Sequence, residues 1–277
     1  METSLWTATT TAGEQFPAAV RKNLKRTLLT FDFDGTLSKM NPDPEAVTMV
    51  EASAQALERL ARAGVRIAII SGRPVEALVR LGRLKERPAF ADAIVLGQYG
   101  VERLDIATGE LRHPPVPESV IRAREDLENL VAGAPGAHLE DKGRALAVHT
   151  RRMENPEASL KDFAKPVREI ADEYGLTVEP GRLVWELRAA VTDKGDAMRE
   201  LISEFAPRAL LMAGDDLGDL AAFDALGQVD LGVSTCALVS GSAEQPALVD
   251  VADILARGPD GVAAWLHYLA QELGLGA

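Results

Sequence analysis

Cysteine is almost missing from this chain: Cys236 is the only one in 277 residues. A lone thiol excludes a disulfide framework and a thiolate metal cluster, and it fits a reducing cytoplasmic setting. Apolar residues nowhere continue for the ~18 positions that a membrane span needs, and residues 1–26 lack the continuous apolar core of a secretory signal. Positive charge is scarce as well, with 30 Lys and Arg against 42 Asp and Glu and a net charge of -12. A surface of that sign repels nucleic acid and anionic membranes, yet a local basic patch can still hold a small anion. His113, His138, His149 and His267 show no close metal-ligand spacing. Apart from a Thr-rich run near the N-terminus, there is no low-complexity tract and no internal repeat.

What is present is apolar material in an ordered rhythm. With 47% hydrophobic residues the chain can build a large core and two domains. "TLLTF" (27–31), "VRIAII" (65–70) and "AIVLG" (93–97) read as strands buried on both faces. Between them, Asp43 as a cap, Pro44 in the first turn, and Val47, Val50, Leu57 and Leu60 on one face predict a helix closed by Gly64. "PVEALVRLGRL" (74–84) predicts another. The same alternation returns in "DAMRELISEF" (196–205), "ALLMAG" (209–214), "LAAFDAL" (220–226), "VDLGV" (229–233, expected as a strand) and "PDGVAAWLHYLAQEL" (259–273). The middle of the chain differs. A helix over 118–131, strands at 137–142 and 145–152, a helix over 157–175 and strands at 176–180 and 183–189 make an αββαββ insert. The expected fold class is therefore α/β: a doubly wound Rossmannoid core over 27–113 and 189–277, an inserted α+β domain over 114–188, and a loose tail leading into a short basic helix over 1–26.

The polar signals of the core follow its apolar runs. Asp32 and Asp34 come after "LLTF", Ser71 after "IAII", and Asp215 with Asp216 after "LLMAG". Strand ends of one parallel sheet share an edge, so these side chains converge, and Lys194 in "TDKGD" starts a helix that can reach the same place. Two carboxylates about 4 Å apart repel by roughly 4 kcal/mol at the effective dielectric of a partly buried site. Several carboxylates, a hydroxyl and an ammonium form a hard-oxygen site suited to Mg²⁺ beside a phosphate, and the cation would offset that repulsion.

"DFDGT", "SGR", "DKG" and "GDDLGD", in this order and strand context, resemble the haloacid dehalogenase (HAD) superfamily of phosphotransferases. The resemblance implies Asp32 as the nucleophile that forms an aspartyl-phosphate, and Asp34 as the group that protonates the leaving oxygen and then deprotonates water. It implies Mg²⁺ held by Asp32, the backbone carbonyl of Asp34 and Asp215. Ser71 and Lys194 would bind phosphoryl oxygens, while Asp216 and Asp219 would orient Lys194 or metal-bound waters. The insert lies where the larger cap class of the superfamily carries its cap.

"GQYGVER", "LEDKGRALAVHTR" and "GRLVWELRAAVTDKG" are further similar to the trehalose-6-phosphate phosphatase family. That resemblance implies a sugar-phosphate substrate and a functional link to a trehalose-phosphate synthase. Glu140, Lys142 and Glu186 would bind distal sugar hydroxyls, Arg151 or Arg188 would lie near the phosphate or the cap sheet, and Phe33 and Arg73 are assigned to substrate binding. The chain departs from the family pattern at Tyr99, Thr150, Ala189, Gly218 and Leu220, where histidine, tyrosine, proline, threonine and glutamate are common. A phosphatase of another sugar phosphate, a phosphomutase and a non-catalytic sugar-phosphate sensor are the alternatives, and the sensor has no need of Asp34.

Overall fold

The computed structural model describes residues 4–189, 192–241 and 246–276. It divides into two units, Met1–Arg112 with Thr192–Ala277, and His113–Val191. Residues 190 and 191, where the core was expected to have resumed, lie outside the described residues.

The first unit runs β1 (Trp6–Ala8), α1 (Thr11–Lys22), β2 (Thr27–Phe31), α2 (Glu51–Arg62), β3 (Arg66–Ile70), α3 (Val75–Leu81), β4 (Ile94–Gly97), β5 (Glu102–Asp105) and β6 (Leu111–Arg112). The second is α4 (Glu118–Ala132), β7 (His138–Asp141), β8 (Ala145–His149), α5 (Pro156–Tyr174), β9 (Thr177–Gly181) and β10 (Val184–Arg188). The chain then completes the first unit with α6 (Lys194–Phe205), β11 (Ala209–Gly214), α7 (Leu220–Leu226), β12 (Ser234–Gly241), α8 (Pro246–Val249), β13 (Ile254–Arg257) and α9 (Gly258–Glu272).

The core sheet has the order β1-β13-β12-β11-β2-β3-β4-β5-β6. Its strands from β13 to β4 are parallel, and β1, β5 and β6 are antiparallel additions. Every residue of β2 and β11 is buried, which is why β11 reads as an unbroken apolar run and β2 carries only Thr27 and Thr30 as polar residues. Side chains alternate across the sheet: Leu29 and Phe31 join a layer with Phe16, Leu57 and Trp265, while Leu28 joins one with Met198 and Phe223. From β2 the chain winds outward through β3 and β4, and from β11 it winds the other way through β12 and β13. A ligand crevice opens at such a reversal, beyond the carboxyl ends of the two central strands. Here the two ends are stitched together, because the Asp32 N–H donates to Ala213 O at 2.8 Å.

The insert's sheet is antiparallel, in the order β7-β8-β10-β9. Leu146, Val148, Trp185 and Leu187 on one face pack with Val120, Leu127, Phe163 and Val167 of α4 and α5. The alternate positions, including Glu140, His149, Glu186 and Arg188, form the opposite face.

Three expectations fail. The short basic helix is there as α1, but the tail is no tail: Trp6–Ala8 pairs with residues 254–256, and Phe16 and Val20 of α1 are buried in the core, with the Phe16 ring 6.4 Å from that of Trp265. A strand of three residues is too short to show alternation in sequence. The helix expected from Asp43 to Gly64 breaks in two. Asp43 does cap Glu45, but only for the short 3-10 turn Pro44–Ala46, and α2 begins at Glu51. In between, the Ser38–Met49 bridge and the Val50 N–H to Leu37 O bond hold the backbone extended. "VDLGV" is a turn with Leu231 fully exposed, and the strand is "STCALVSG", whose polar start hides it. Among the described residues, no helix is long and apolar enough to cross a membrane.

Phe16→Ala should cost about 3–5 kcal/mol of stability in chemical denaturation, the range for a large aromatic removed from a packed core. A loose tail would show no change.

Candidate active site

The centre of the site is one ammonium between two carboxylates. Lys194 Nζ lies 2.7 Å from Asp32 Oδ1 and 2.6 Å from Asp219 Oδ1. Each member is delivered by a different element. Asp32 follows the last residue of β2, and Lys194 is the first residue of α6. That helix is started by a reciprocal capping box between Asp193 and Asp196, which fixes where Lys194 leaves the backbone. Asp219 closes the short 3-10 turn Leu217–Asp219 after β11, and its second oxygen accepts the N–H groups of Asp215 at 2.9 Å and Asp216 at 3.2 Å. All three side chains are buried.

Asp215 completes the cluster, with single carboxylate oxygens of Asp32, Asp215 and Asp219 within 4.8 Å of one another. Gly35 makes the approach possible. Its φ is +76°, and a Cβ there would stand 2.1 Å from Asp215 Oδ2. Thr36 Oγ1 donates to Asp215 Oδ1 at 3.4 Å, and Ser240 Oγ donates to Gly35 O at 2.6 Å. Neither Thr36 nor Ser240 was assigned a place at the site from sequence. Thr36 lies inside the first motif, whereas no motif marks Ser240.

Asp34 faces another way. Arg73 grips its carboxylate with two bonds, Nε to Oδ2 at 2.5 Å and Nη2 to Oδ1 at 2.9 Å. Arg73 also donates through its backbone N–H to Ser71 Oγ at 3.3 Å. Ser71 is buried at the end of β3, with its N–H on Leu96 O at 3.0 Å. Contacts can be given for three further assigned residues. Phe33 was expected to touch substrate, but its side chain is wholly buried in the core because β2 and its following turn point it inward. Arg73 is engaged with Asp34 through its Nε–Nη2 edge, while Nη1 donates to Pro44 O at 3.1 Å. Of the two carboxylates expected to orient Lys194 or metal-bound waters, Asp219 touches Lys194, while the exposed Asp216 contributes its backbone N–H to Asp219.

Burial pushes the Asp32 carboxyl well above its ordinary range against the pull of Lys194, and Asp219, Asp215 and Asp216 push it the same way. Asp215 rises to about 8, through burial first and then through Asp219 and Asp216. Burial opposes the charge on Lys194, but Asp219 and Asp32 outweigh it and keep the ammonium firmly protonated. One ammonium cannot balance Asp32, Asp215, Asp216 and Asp219 together. The excess negative charge must be met by protons or by a cation.

Within the inserted unit, the polar face of the sheet carries a row in which Glu140 lies opposite Ala147, Ala147 opposite Glu186, and Glu186 opposite Glu179. Lys142 Nζ binds Glu186 at 2.5 Å, His149 Nε2 binds Glu140 at 2.8 Å, and Arg188 pairs with Glu179. Alanines 145 and 147 leave a low floor between these groups. Arg151 is exposed beyond β8. The roles of His149 and Glu179 were missed, because nothing in the spacing of either one reveals its cross-strand partner.

The sequence profile of the family described as Trehalose-phosphatase matches residues 30–247, the whole span from β2 to the start of α8. The chain belongs to the trehalose-phosphatase family. It is 34% identical over 197 residues to the trehalose-6-phosphate phosphatase of Escherichia coli (strain K12), covering 70% of this chain and 71% of that protein. With the trehalose-phosphate phosphatase of Mycobacterium marinum it shares 32% identity over 212 residues, 73% of this chain and 52% of that longer relative. The fold is similar to the C-terminal domain of the Candida albicans trehalose-6-phosphate phosphatase, with a TM-score of 0.76 at 22% identity, covering 99% of this chain and 100% of that one. In this trehalose-phosphatase, the Lys194 bridge and the Asp215 approach bring the carboxylates of Asp32, Asp215 and Asp219 together.

Two outcomes check this geometry. Gly35→Ala should displace Asp215 and lower turnover by about a hundredfold while the protein stays folded by circular dichroism. The second concerns pH. Asp215 holds its proton up to about 8 when folded, but only to about 4 when unfolded. The folded state thus binds the extra proton between these values, and stability contributed by it falls as pH rises through that window. Melting temperatures measured with a chelator should decline from pH 5 to 8, less steeply in Asp215→Asn.

Proposed function

We propose that this chain hydrolyses trehalose 6-phosphate to trehalose and inorganic phosphate, with Asp32 as nucleophile and Mg²⁺ at the acidic cluster. The observation that carries the reading is the Lys194 bridge between Asp32 and Asp219 at the sheet's reversal point. A carboxyl that keeps its proton cannot attack phosphorus, and Asp32 is pressed toward that state by burial and then by its acidic neighbours. The donor set suits Mg²⁺, since it is made of carboxylate oxygens with surplus negative charge. The carboxylates of Asp32 and Asp215 with the backbone carbonyl of Asp34 would hold it. When bound, it would neutralise the cluster and the phosphoryl oxygens.

The chain's own groups supply the remaining steps. Lys194 and Ser71 bind phosphoryl oxygens and orient phosphorus toward Asp32. As the Asp32 oxygen bonds to phosphorus, the bond to the sugar oxygen breaks, and Asp34 gives that oxygen its proton. Asp34 then takes a proton from the water that attacks phosphorus, which frees phosphate and restores Asp32. Arg73 fixes the direction of Asp34, and any contact of Phe33 with substrate falls to its backbone. Glu140, Lys142 and Glu186 bind sugar hydroxyls, which a site of paired charges distinguishes from an ester lacking them. Arg188 stays beside Glu179 on the same sheet, and exposed Arg151 is free to meet an anion. The substrate is thus a small sugar phosphate rather than a nucleic acid or a membrane, in a cytoplasmic setting, with a functional link to a trehalose-phosphate synthase as its supplier.

Phosphate release from a panel of sugar phosphates should be fastest with trehalose 6-phosphate and should vanish when Mg²⁺ is chelated. Equal rates on all esters would remove the disaccharide assignment. Asp32→Asn should abolish turnover with the fold retained, and measurable steady-state release would defeat the nucleophile assignment. Glu186→Gln should raise KM for trehalose 6-phosphate about tenfold, while p-nitrophenyl phosphate, which has no sugar, is hydrolysed as before.

A further inference from the structure

Immediately after β4, three consecutive residues adopt left-handed backbone: Gln98 (φ 49°), Tyr99 (φ 59°) and Gly100 (φ 95°). Glycine takes this region freely, but each of the other two costs about 1–2 kcal/mol there. Such strain persists only where the surroundings enforce it, and it gathers at functional sites. Here the surroundings are two elements of the core site. On one side the turn grips the loop after β3: Tyr99 N–H donates to Ser71 O at 3.0 Å and Gln98 N–H to Arg73 O at 2.9 Å. The phenol lies over Gly72, where a Cβ would stand 2.7 Å from the hydroxyl and 2.8 Å from Cζ. On the other side the turn presses on α6, since a Cβ on Gly100 would stand 2.8 Å from that of Ala197, three residues beyond Lys194.

The turn is therefore wedged between the loop carrying Ser71 and Arg73 and the helix carrying Lys194. We propose that Tyr99 and its left-handed turn are a positioning device that sets the spacing between Ser71 and Lys194, and through Arg73 the placement of Asp34. The device rests on the phosphoryl-transfer roles proposed above. It needs a non-glycine side chain at a strained position, because the ring fills the space above Gly72 and stops the loop from sliding toward β4. Gly72 is the matching half, as any side chain there would meet the ring.

The test combines catalysis with a readout that needs none. Tyr99→Gly, Tyr99→Phe and wild type are assayed with p-nitrophenyl phosphate, so the identity of the sugar does not enter. Tyr99→Gly should lower kcat by about ten- to a hundredfold with KM within about twofold, while Tm holds or rises because glycine relieves the strain. Tyr99→Phe, which keeps the ring, should restore kcat to within about twofold of wild type. Hydrogen exchange should accelerate in Tyr99→Gly over residues 66–82 and 94–105 and stay slow in Tyr99→Phe. Unchanged kcat, a change in KM alone, or a drop in Tm that accounts for the lost activity would each overturn the proposal. If wild type releases phosphate from no ester, the phosphatase reading fails, and exchange alone decides the positioning role: unchanged exchange in Tyr99→Gly overturns it.

Discussion

A buried ammonium shared by two buried carboxylates is the interaction on which the rest of the core depends. Removing Lys194 from water is tolerable only because Asp32 and Asp219 accept its protons at 2.6–2.7 Å, and leaving either carboxylate alone would cost several kcal/mol. The arrangement constrains the whole sheet. Asp32 comes from β2, Asp219 from the turn after β11 and Lys194 from α6, so the two central strands must be neighbours and the helix must start at one particular residue. Among the described residues the same contact leaves Asp215 and Asp216 without an ion pair of their own, and that surplus makes the site receptive to a cation.

The two units solve different chemical problems with different sheet types. Parallel strands of the core end together, which lets short polar loops from β2, β3, β4 and β11 crowd one edge. The antiparallel sheet of the insert instead separates its faces, one covered by α4 and α5 and the other set with crossed ion pairs. Glu186 and Glu179 lie directly opposite each other, a repulsive pair unless each has its own cation, and Lys142 and Arg188 meet that need from the two flanks.

Close approaches mark the loops where the elements crowd. Gly35 yields space to Asp215, and Gly72 yields space to Tyr99. In both places a small residue lets a polar or aromatic neighbour come closer than a Cβ would allow. Both lie in loops at strand carboxyl ends, where the polar residues of the core site also gather.

Much of this was visible in one dimension. Buried strands such as "ALLMAG" are continuous apolar runs, and the insert's helices and strands switch cleanly between periods of 3.6 and 2, so the α/β core and the αββαββ insert were legible. Asp32, Ser71, Lys194 and Asp215 were legible too, because each sits at a strand end or helix start that chain order alone predicts. The burial of Phe33, the Arg73 grip on Asp34, the role of Ser240 and the Glu179–Arg188 pair were not. Neither was the three-residue strand at Trp6, which exists only because β13 offers an open edge. Local pattern determines which residues form each element and which end of it is polar, since periodicity and capping act over a few neighbouring residues. Contacts between residues far apart in the chain depend on register and close approach, and those emerge only when the elements pack together.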